Sequence, residues 1–476
     1  MPIDQEPPAI VAPAPEASAS ADAGPSLPPP EPPLAPPGVT NPTPPPPGLG
    51  SKQRLSDADY ARKVEGGYFT GLPLANFDRD TGFGFGARAY YYADGKREDP
   101  LFAYTPYLQR VFLQAFGTTN GAQFHWLDYD SPAFLGSLFR VRAGLIFAQN
   151  ITENYYGTGA GSLKTLSFPG DDRLFAKGSE YDTAARSARP DGTTYAKYDQ
   201  YFVRKISGLV SAERSLVGGV VRPLLGLGFN YATIRDYTGD MVDATDGSGG
   251  TVQARQAQTR LASDCAAQRV VGCAGGFDNV LRLGVSLDTR DFEPDPNRGV
   301  YAELSAELAS RALGSDYEYA RFLGSVRGFY SPFPHTTDLV LAGRALYEIQ
   351  SKGTPFTSMS TIPFLDDSKM GLGGFRTLRG FRSERFVGPV IALTNFEARW
   401  TFYRFRALQQ GFGLILVPFM DIGRVFDSVN DFSLKTWKRT QGGGFRIAWN
   451  EATIVMIDYG VSTEDTGLYI NFNHIF

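Results

Sequence analysis

Three arginines stand close together in a glycine-rich stretch and are the chain's best candidates for buried ionic chemistry. The stretch reads Gly371-Leu-Gly-Gly-Phe-Arg-Thr-Leu-Arg-Gly-Phe381, and the three cations are Arg376, Arg379 and Arg382. A guanidinium that leaves water needs carboxylates that accept paired hydrogen bonds from it. Two later segments offer such carboxylates, Glu397 and Asp421. A dinucleotide-binding reading of the glycines fails, because no strand–helix context surrounds them.

The other reactive side chains point to neither a metal site nor an enzyme. Two cysteines, Cys265 and Cys273, are too few for a disulfide-dense scaffold or a four-cysteine zinc site. In an oxidising compartment their close spacing favours a local disulfide, with two free thiols as the lesser alternative. His125, His335 and His474 have no matched serine motif and no third orienting group. We therefore expect no catalytic residues, no metal and no cofactor.

The composition separates a short proline-rich start from a long aromatic-rich body. Of the 33 prolines, 18 lie in residues 1–50, a stretch with five acidic residues, no Lys or Arg and no aromatic residue. This stretch has too little apolar surface to bury and is predicted to be a disordered tail with local polyproline II structure. Residues 51–65 are predicted as a short linker or helix. The near-neutral remainder lacks the clustered positive charge that nucleic-acid binding needs.

From residue 66 onward, long segments of alternating apolar and polar residues are separated by turn residues. Arg446 and Asp458 share one parity of their segments, while Phe445, Ile447 and Tyr459 share the other. This period of two is typical of a strand with one apolar and one polar face. The segments exceed the usual soluble strand length of about 5–6 residues and reach the roughly 9–11 residues that cross a membrane.

The spacing of these segments predicts a sixteen-stranded transmembrane antiparallel β-barrel over residues 66–476. Fifteen strands are predicted at 82–93, 102–116, 119–130, 137–149, 199–214, 219–235, 276–290, 298–310, 318–330, 337–350, 388–404, 411–426, 439–450, 453–463 and 467–476. Bacterial single-chain barrels have even strand numbers, so we add 66–77 despite its proline. Short connections then alternate with the long loops 150–198, 236–275 and 351–387, as in membrane barrels. A C-terminal aromatic residue, Phe476, fits the same class.

With these features the sequence resembles the BamA/TamA outer-membrane assembly superfamily and its bacterial surface antigen barrel domain. The signature of that family, a Val/Ile-Arg-Gly-Phe/Tyr loop tip, stands here as Leu378-Arg379-Gly380-Phe381. The resemblance extends to Asp288-Thr-Arg-Asp291, Tyr155-Tyr-Gly-Thr-Gly159 and Asp80-Thr-Gly-Phe-Gly84. It implies that loop 351–387 folds into the lumen as a plug, with Arg379 inward and with Glu397 and Asp421 as its acidic partners on the wall.

The resemblance also implies a place and a function. The expected place is the bacterial outer membrane, and the expected function is to assist insertion or translocation of proteins, or of lipid, through a weak junction between the first and last strands. Expected partners are outer-membrane lipids, client outer-membrane proteins or a separate periplasmic protein, and no nucleic acid. Members of the family carry periplasmic POTRA domains, for which residues 51–65 leave no room. The alternative is a passive or gated pore, or a structural membrane-anchored barrel without insertase activity.

Overall fold

The structure is a computed structural model, and it describes residues 60, 65–78, 81–99, 101–105, 107–291, 295–333, 336–365, 368–407, 410–449, 453–472 and 474–476. The tail predicted for residues 1–50 lies outside the described residues, as does most of the linker predicted for 51–65.

Sixteen long strands make up the body of the molecule, which confirms the predicted fold class and strand number. They are β1 Gly66–Asp78, β2 Gly82–Gly95, β3 Gln109–Thr118, β4 Gln123–Ser131, β5 Phe139–Asn154, β6 Gln200–Arg214, β7 Val221–Asp236, β8 Val280–Asp288, β9 Gly299–Ala309, β10 Tyr319–Tyr330, β11 Leu339–Gln350, β12 Val390–Ala407, β13 Gln410–Phe426, β14 Lys438–Trp449, β15 Thr453–Val461 and β16 Thr466–Phe472. A short strand, Gly275–Phe277, precedes β8 and also pairs with β7.

Every strand pairs antiparallel with the strand that follows it in the chain, from β1–β2 to β15–β16. Such consecutive pairing is the up-and-down order of a membrane barrel. Among the described residues no backbone pairing joins β1 to β16. We call this junction between the first and last strands the seam.

The alternation read from the sequence gives each strand an apolar outer face and a mostly polar inner face. On β10, for example, Phe322 is 54% exposed while its neighbours Arg321 and Leu323 are each 2% exposed. Arg321 is held by Glu348 of β11 and Glu307 of β9 on the inner wall. Outward side chains on the other strands are mostly apolar as well, as Leu113, Leu227 and Leu304 show, so the outer face suits lipid and the inner face encloses a lumen.

The long connections carry the remaining elements and lie at one end of the barrel. Three short helices occur there: α1 Gly178–Arg186, α2 Arg260–Ala266 and α3 Phe356–Met359. Small strands and 3-10 turns complete them, at Thr193–Thr194, Met241–Thr245, Thr251–Gln256, Thr361–Pro363, Ser368–Met370, Gly159–Gly161, Arg311–Leu313 and Val429–Asp431. The 3-10 turn Phe134–Gly136 lies at the opposite end, in the short connection between β4 and β5. Within the described part of the chain, no helix has the length and apolar character needed to cross a membrane.

Several predicted strand ends differ from the structure, among them those of the strands predicted at 119–130 and 276–290, which begin at Gln123 and Val280. The strand predicted at 102–116 begins only at Gln109, because residues 101–105 form turns and bury consecutive side chains such as Leu101 and Phe102 rather than alternating ones. The strand predicted at 467–476 ends at Phe472. Phe476 therefore lies on no strand, and its ring contacts Phe329, a residue of the inner wall.

Candidate functional site

The loop 351–387, which we call the inner loop, packs its apolar side chains against the inner wall. Leu378, Phe381 and Phe386 are buried, and the rings of the two phenylalanines meet edge to face at 5.0 Å. They form one cluster with wall residues of β10–β13: Leu323, Leu346, Ile391, Leu393 and Val425. Burial of this many apolar side chains gives the loop a fixed seat inside the barrel.

Arg379 at the tip of the inner loop meets three carboxylates of the wall. Its Nε and Nη2 donate to the two oxygens of Asp421 at 2.9 and 2.8 Å, and its Nη1 donates to Glu397 at 2.7 Å and to Asp458 at 2.8 Å. The guanidinium carbon also lies 3.4 Å from the centroid of the Phe419 ring. The side chain is 0% exposed, so all of its hydrogen bonds are to protein. Both acidic partners expected from the sequence are present here.

Two further arginines balance the charge of this cluster, which we call the arginine network. Arg446 of β14 donates to Glu397 at 2.7 Å and to Asp458 at 3.2 Å, while Arg399 of β12 donates to Glu397 at 2.9 Å. Three guanidinium groups thus face three carboxylates in a buried site. Sequence reasoning did not assign Asp458, Arg446 or Arg399 to this site. Arg446 and Asp458 could be recognised from the sequence as residues on the polar face of their strands. That pattern identifies the lumenal face, but it does not show which lumenal residues contact each other.

Gly380 lets the loop tip touch the wall backbone. Its φ of +99° lies in the region that favours glycine, and a Cβ there would come within 2.9 Å of backbone atoms of Gly460 and Val461 on β15. Its amide donates to the Tyr469 hydroxyl of β16 at 2.9 Å, and its carbonyl accepts from the Ser462 hydroxyl at 2.9 Å. The tip is therefore bound to the strand edge that borders the seam.

With the site's geometry in place, comparison with known proteins gives the family. The family model of the Omp85 superfamily domain matches residues 174–467, more than half of the chain. A second model, of a Domain of unknown function (DUF5982), matches residues 46–108. The chain belongs to the Omp85 superfamily. It is accordingly a protein of the bacterial outer membrane.

Individual relatives of this Omp85 protein are distant. The outer membrane protein assembly factor BamA of Nitratidesulfovibrio vulgaris is 23% identical over 168 residues, which is 33% of this chain and 19% of that relative. The chain thus spans about a fifth of the length of the curated relative. BamA from Haemophilus ducreyi lacking POTRA domains 1–3 aligns with a TM-score of 0.46 at 13% identity, over 86% of this chain and 69% of that one. CdiB from Escherichia coli aligns with a TM-score of 0.44 at 10% identity, over 86% and 61%.

The chain's C-terminus joins the arginine network of the Omp85 barrel. Arg399 donates to the Phe476 carbonyl at 3.0 Å, and Arg344 of β11 donates to the Ile475 carbonyl at 3.3 Å. Both guanidinium groups also face the Phe476 ring, at 5.2 and 5.0 Å. His474 contacts Arg446 and lies 3.0 Å from Asp295. The sequence predicted Phe476 as the last residue of a barrel strand, whereas these contacts place its ring inside the lumen.

A second group of ion pairs fixes the inner loop to the outer loops. Arg382 pairs with Asp182 of α1 and with Asp465, each at 2.8 Å. Arg385 pairs with Glu464 at 2.6 Å. The inner loop of this Omp85 barrel is therefore held at both levels, by the arginine network in the lumen and by the outer loops above it.

Cys265 and Cys273 are joined by a disulfide in the outer loop that follows β7. The disulfide joins the C-terminal end of α2 to Cys273, and the segment between the two cysteines packs on the early part of the inner loop. The Phe356 amide donates to the Val271 carbonyl at 3.0 Å, and the Phe356 ring is buried with Leu261 and Tyr155. Burial and a 2.6 Å hydrogen bond to Asp264 raise the pKa of Tyr155, so its hydroxyl stays a donor at neutral pH.

Proposed function

We propose that this Omp85 barrel inserts polypeptides into the outer membrane, or translocates them across it, at the seam. The observation that carries the proposal is the difference between the seam and every other junction. The β1–β2 ladder, for instance, runs the whole length of β1 from Gly66 to Asp78. Among the described residues the seam has no such ladder. The assembly activity in the name of the BamA relative supports the same function.

An unpaired strand edge has a direct chemical use in a membrane. Backbone N–H and C=O groups in hydrocarbon need partners, because each unsatisfied group costs several kcal/mol. An incoming strand that pairs with β1 or β16 satisfies its own groups and those of the edge by β-augmentation. Gly71 and Pro73 weaken β1 further, since proline donates no hydrogen bond and glycine packs no side chain.

The inner loop is suited to control this edge. Its tip contacts β15 through Gly380, and Phe375 packs on Tyr469 of β16 with ring centroids 6.3 Å apart. A shift of the loop therefore reaches the last strand directly. The proposed client is an outer-membrane protein, and the proposed division of the chain is a proline-rich tail at 1–50, a linker at 51–65 and the barrel at 66–476. A separate periplasmic protein is the proposed source of client docking.

Reconstitution tests the proposal. The full chain in liposomes should fold a urea-unfolded test barrel faster than liposomes that hold a porin of similar size. Equal rates with the two proteins would reject insertion activity.

Cross-linking of the seam tests whether the client enters the membrane there. Phe69→Cys on β1 and Ile470→Cys on β16, both on the lipid-facing side, are joined by a bifunctional maleimide. We expect the acceleration to be lost, because the edges can no longer separate to admit a strand. Gly71→Cys joined to Ala89→Cys is the matched control, since these residues are already partners in the β1–β2 ladder. Activity that survives the seam cross-link would show that the client does not enter there.

A further inference from the structure

An unusual row of aromatic side chains, which we call the aromatic stripe, lines the inner wall on β1–β4. In spatial order it consists of Tyr68, Tyr92, Tyr90, Phe112, Trp126 and Phe124. Neighbouring rings along the row have centroids 4.7–6.3 Å apart. Barrel interiors are normally polar, so an unbroken aromatic row on this face points to an apolar or ring-stacking ligand.

The register of the strands fixes the stripe on the lumenal side. Tyr90 and Phe112 are partners across β2 and β3, and Tyr90 has the same parity as the buried Arg88. The residues that alternate with the stripe residues along each strand point outward, as Tyr91 and Leu113 do, with 37% and 55% exposure. Tyr90, Tyr92 and Trp126 themselves are only half-buried.

The stripe stands apart from the seat of the inner loop. Among the described residues, hydrogen bonds and ion pairs join that loop to the wall from β8 to β16, to the outer end of β5 and to the outer loops; examples are those to Arg282, Asp421 and Asn154. The wall at β1–β4 thus carries the stripe beside the buried Arg88–Gln114 pair, opposite the wall on which the inner loop is seated.

The chain that precedes β1 enters beside one end of the stripe. Tyr60 meets Phe102 edge to face at 5.6 Å, and the Arg97 guanidinium lies 5.4 Å from the Tyr60 ring. Arg97 also pairs with Glu65 at 3.0 Å. These residues lie at the end of the barrel with the short turns, where Tyr92 of the stripe contacts Tyr107 at 5.6 Å.

We propose that a proline run of the chain's own N-terminal segment, Pro44–Pro47, lies along the aromatic stripe inside the lumen. Proline-rich segments in polyproline II conformation bind aromatic-lined grooves, because they are pre-ordered and present flat apolar rings. Residues 1–50 hold 18 prolines and no aromatic residue, so the tail supplies the prolines of such a contact and the aromatic stripe supplies the rings.

Length and tethering favour this occupant over a free ligand. The residues between Pro47 and Tyr60 can reach roughly 35 Å in an extended form at about 3.1 Å per residue, which is longer than the row of rings. A short flexible tether also gives its end an effective concentration on the order of millimolar. Weak proline–aromatic contacts are then enough to keep the stripe occupied.

Photo-cross-linking of the full chain in nanodiscs tests the proposal. Tyr90→p-benzoylphenylalanine places the probe in the stripe, and Tyr91→p-benzoylphenylalanine places it on the lipid side of the same strand. We expect peptides from residues 1–59 to be joined to position 90 and only lipid to position 91. A result without tail peptides at position 90, or with adducts only to another protein or to a second copy of the chain, overturns the proposal.

A second variant tests the role of proline. Replacement of Pro44–Pro47 by four serines should lower the yield of tail cross-links about tenfold, which equals about 1.4 kcal/mol of binding. A glycine–serine exchange of Ala17–Ser20 keeps the prolines and should leave the yield unchanged. Both variants retain the barrel, which the heat-dependent shift in electrophoretic mobility checks. An unchanged yield after the proline replacement overturns the proposal.

Discussion

At the scale of single residues, Arg379 decides whether the inner loop is seated. Arg379→Ala would leave Asp421 and Asp458 close together with their shared cation gone, in a site that excludes water. Removal of one partner from a buried ion pair costs about 3–5 kcal/mol. We expect a loss of this size in urea unfolding of the barrel.

The control for Arg379 lies three residues away. Arg376 belongs to the same loop, but its side chain is partly exposed and stacks on the neighbouring Phe375 ring. Arg376→Ala should therefore change the free energy of unfolding much less. Equal losses in the two variants would mean that the arginine network does not hold the loop.

Gly380 gives a second test at this scale, based on space instead of charge. Gly380→Ala puts a methyl group within 2.9 Å of the β15 backbone at a positive φ, so the tip must withdraw from β15 and from Tyr469. We expect faster proteolysis of the inner loop and a lower unfolding midpoint. Gly443→Ala on β14 is the control, because a Cβ there would meet no atom within 4 Å. Unchanged proteolysis in Gly380→Ala would contradict the close approach.

At the scale of elements, the positions of the strands could be predicted from the sequence, but most contacts between distant segments could not. Alternation and turn residues predicted sixteen strands, because each strand lies between lipid and lumen and repeats every two residues. The same rule failed at 101–105, where tertiary packing buries consecutive residues. Parity also placed Asp458 on the lumenal face, yet its contact with Arg379 depends on how a loop 79 residues earlier folds back. That distance leaves no local signal.

The disulfide-bonded segment provides a prediction for one element. Cys265 and Cys273 close a short loop that starts in the last turn of α2, and in the chain-entropy account such a disulfide stabilises the folded state by about 2–3 kcal/mol. With both replaced by serine, α2 should dock less firmly on Phe356, and trypsin should cut faster at Arg269, whose side chain is 57% exposed. Cleavage at Lys435, in another outer loop, is the internal reference. Equal rates at Arg269 in both proteins would show that α2 is held by packing alone.

At the scale of the whole molecule, the two halves of the barrel differ. The half from β8 to β16 holds the inner loop and the arginine network. Arg399 of that network and the nearby Arg344 also bind the C-terminal residues. The half from β1 to β4 carries the aromatic stripe. The seam lies between these halves. Its β16 edge is contacted by the inner loop, and its β1 edge belongs to the strand that follows the N-terminal segment.

This arrangement predicts how the lumen conducts ions. Sixteen strands enclose an aqueous channel in porins, and here we expect two segments to obstruct it. Replacement of residues 371–386 by a short glycine–serine linker should give large single-channel conductance when residues 2–50 are also deleted, and a smaller one when the tail is kept. The double Cys265→Ser, Cys273→Ser variant, with both segments in place, should stay nearly closed. Large conductance in the unaltered chain would instead favour a pore, because neither segment would then be blocking the lumen.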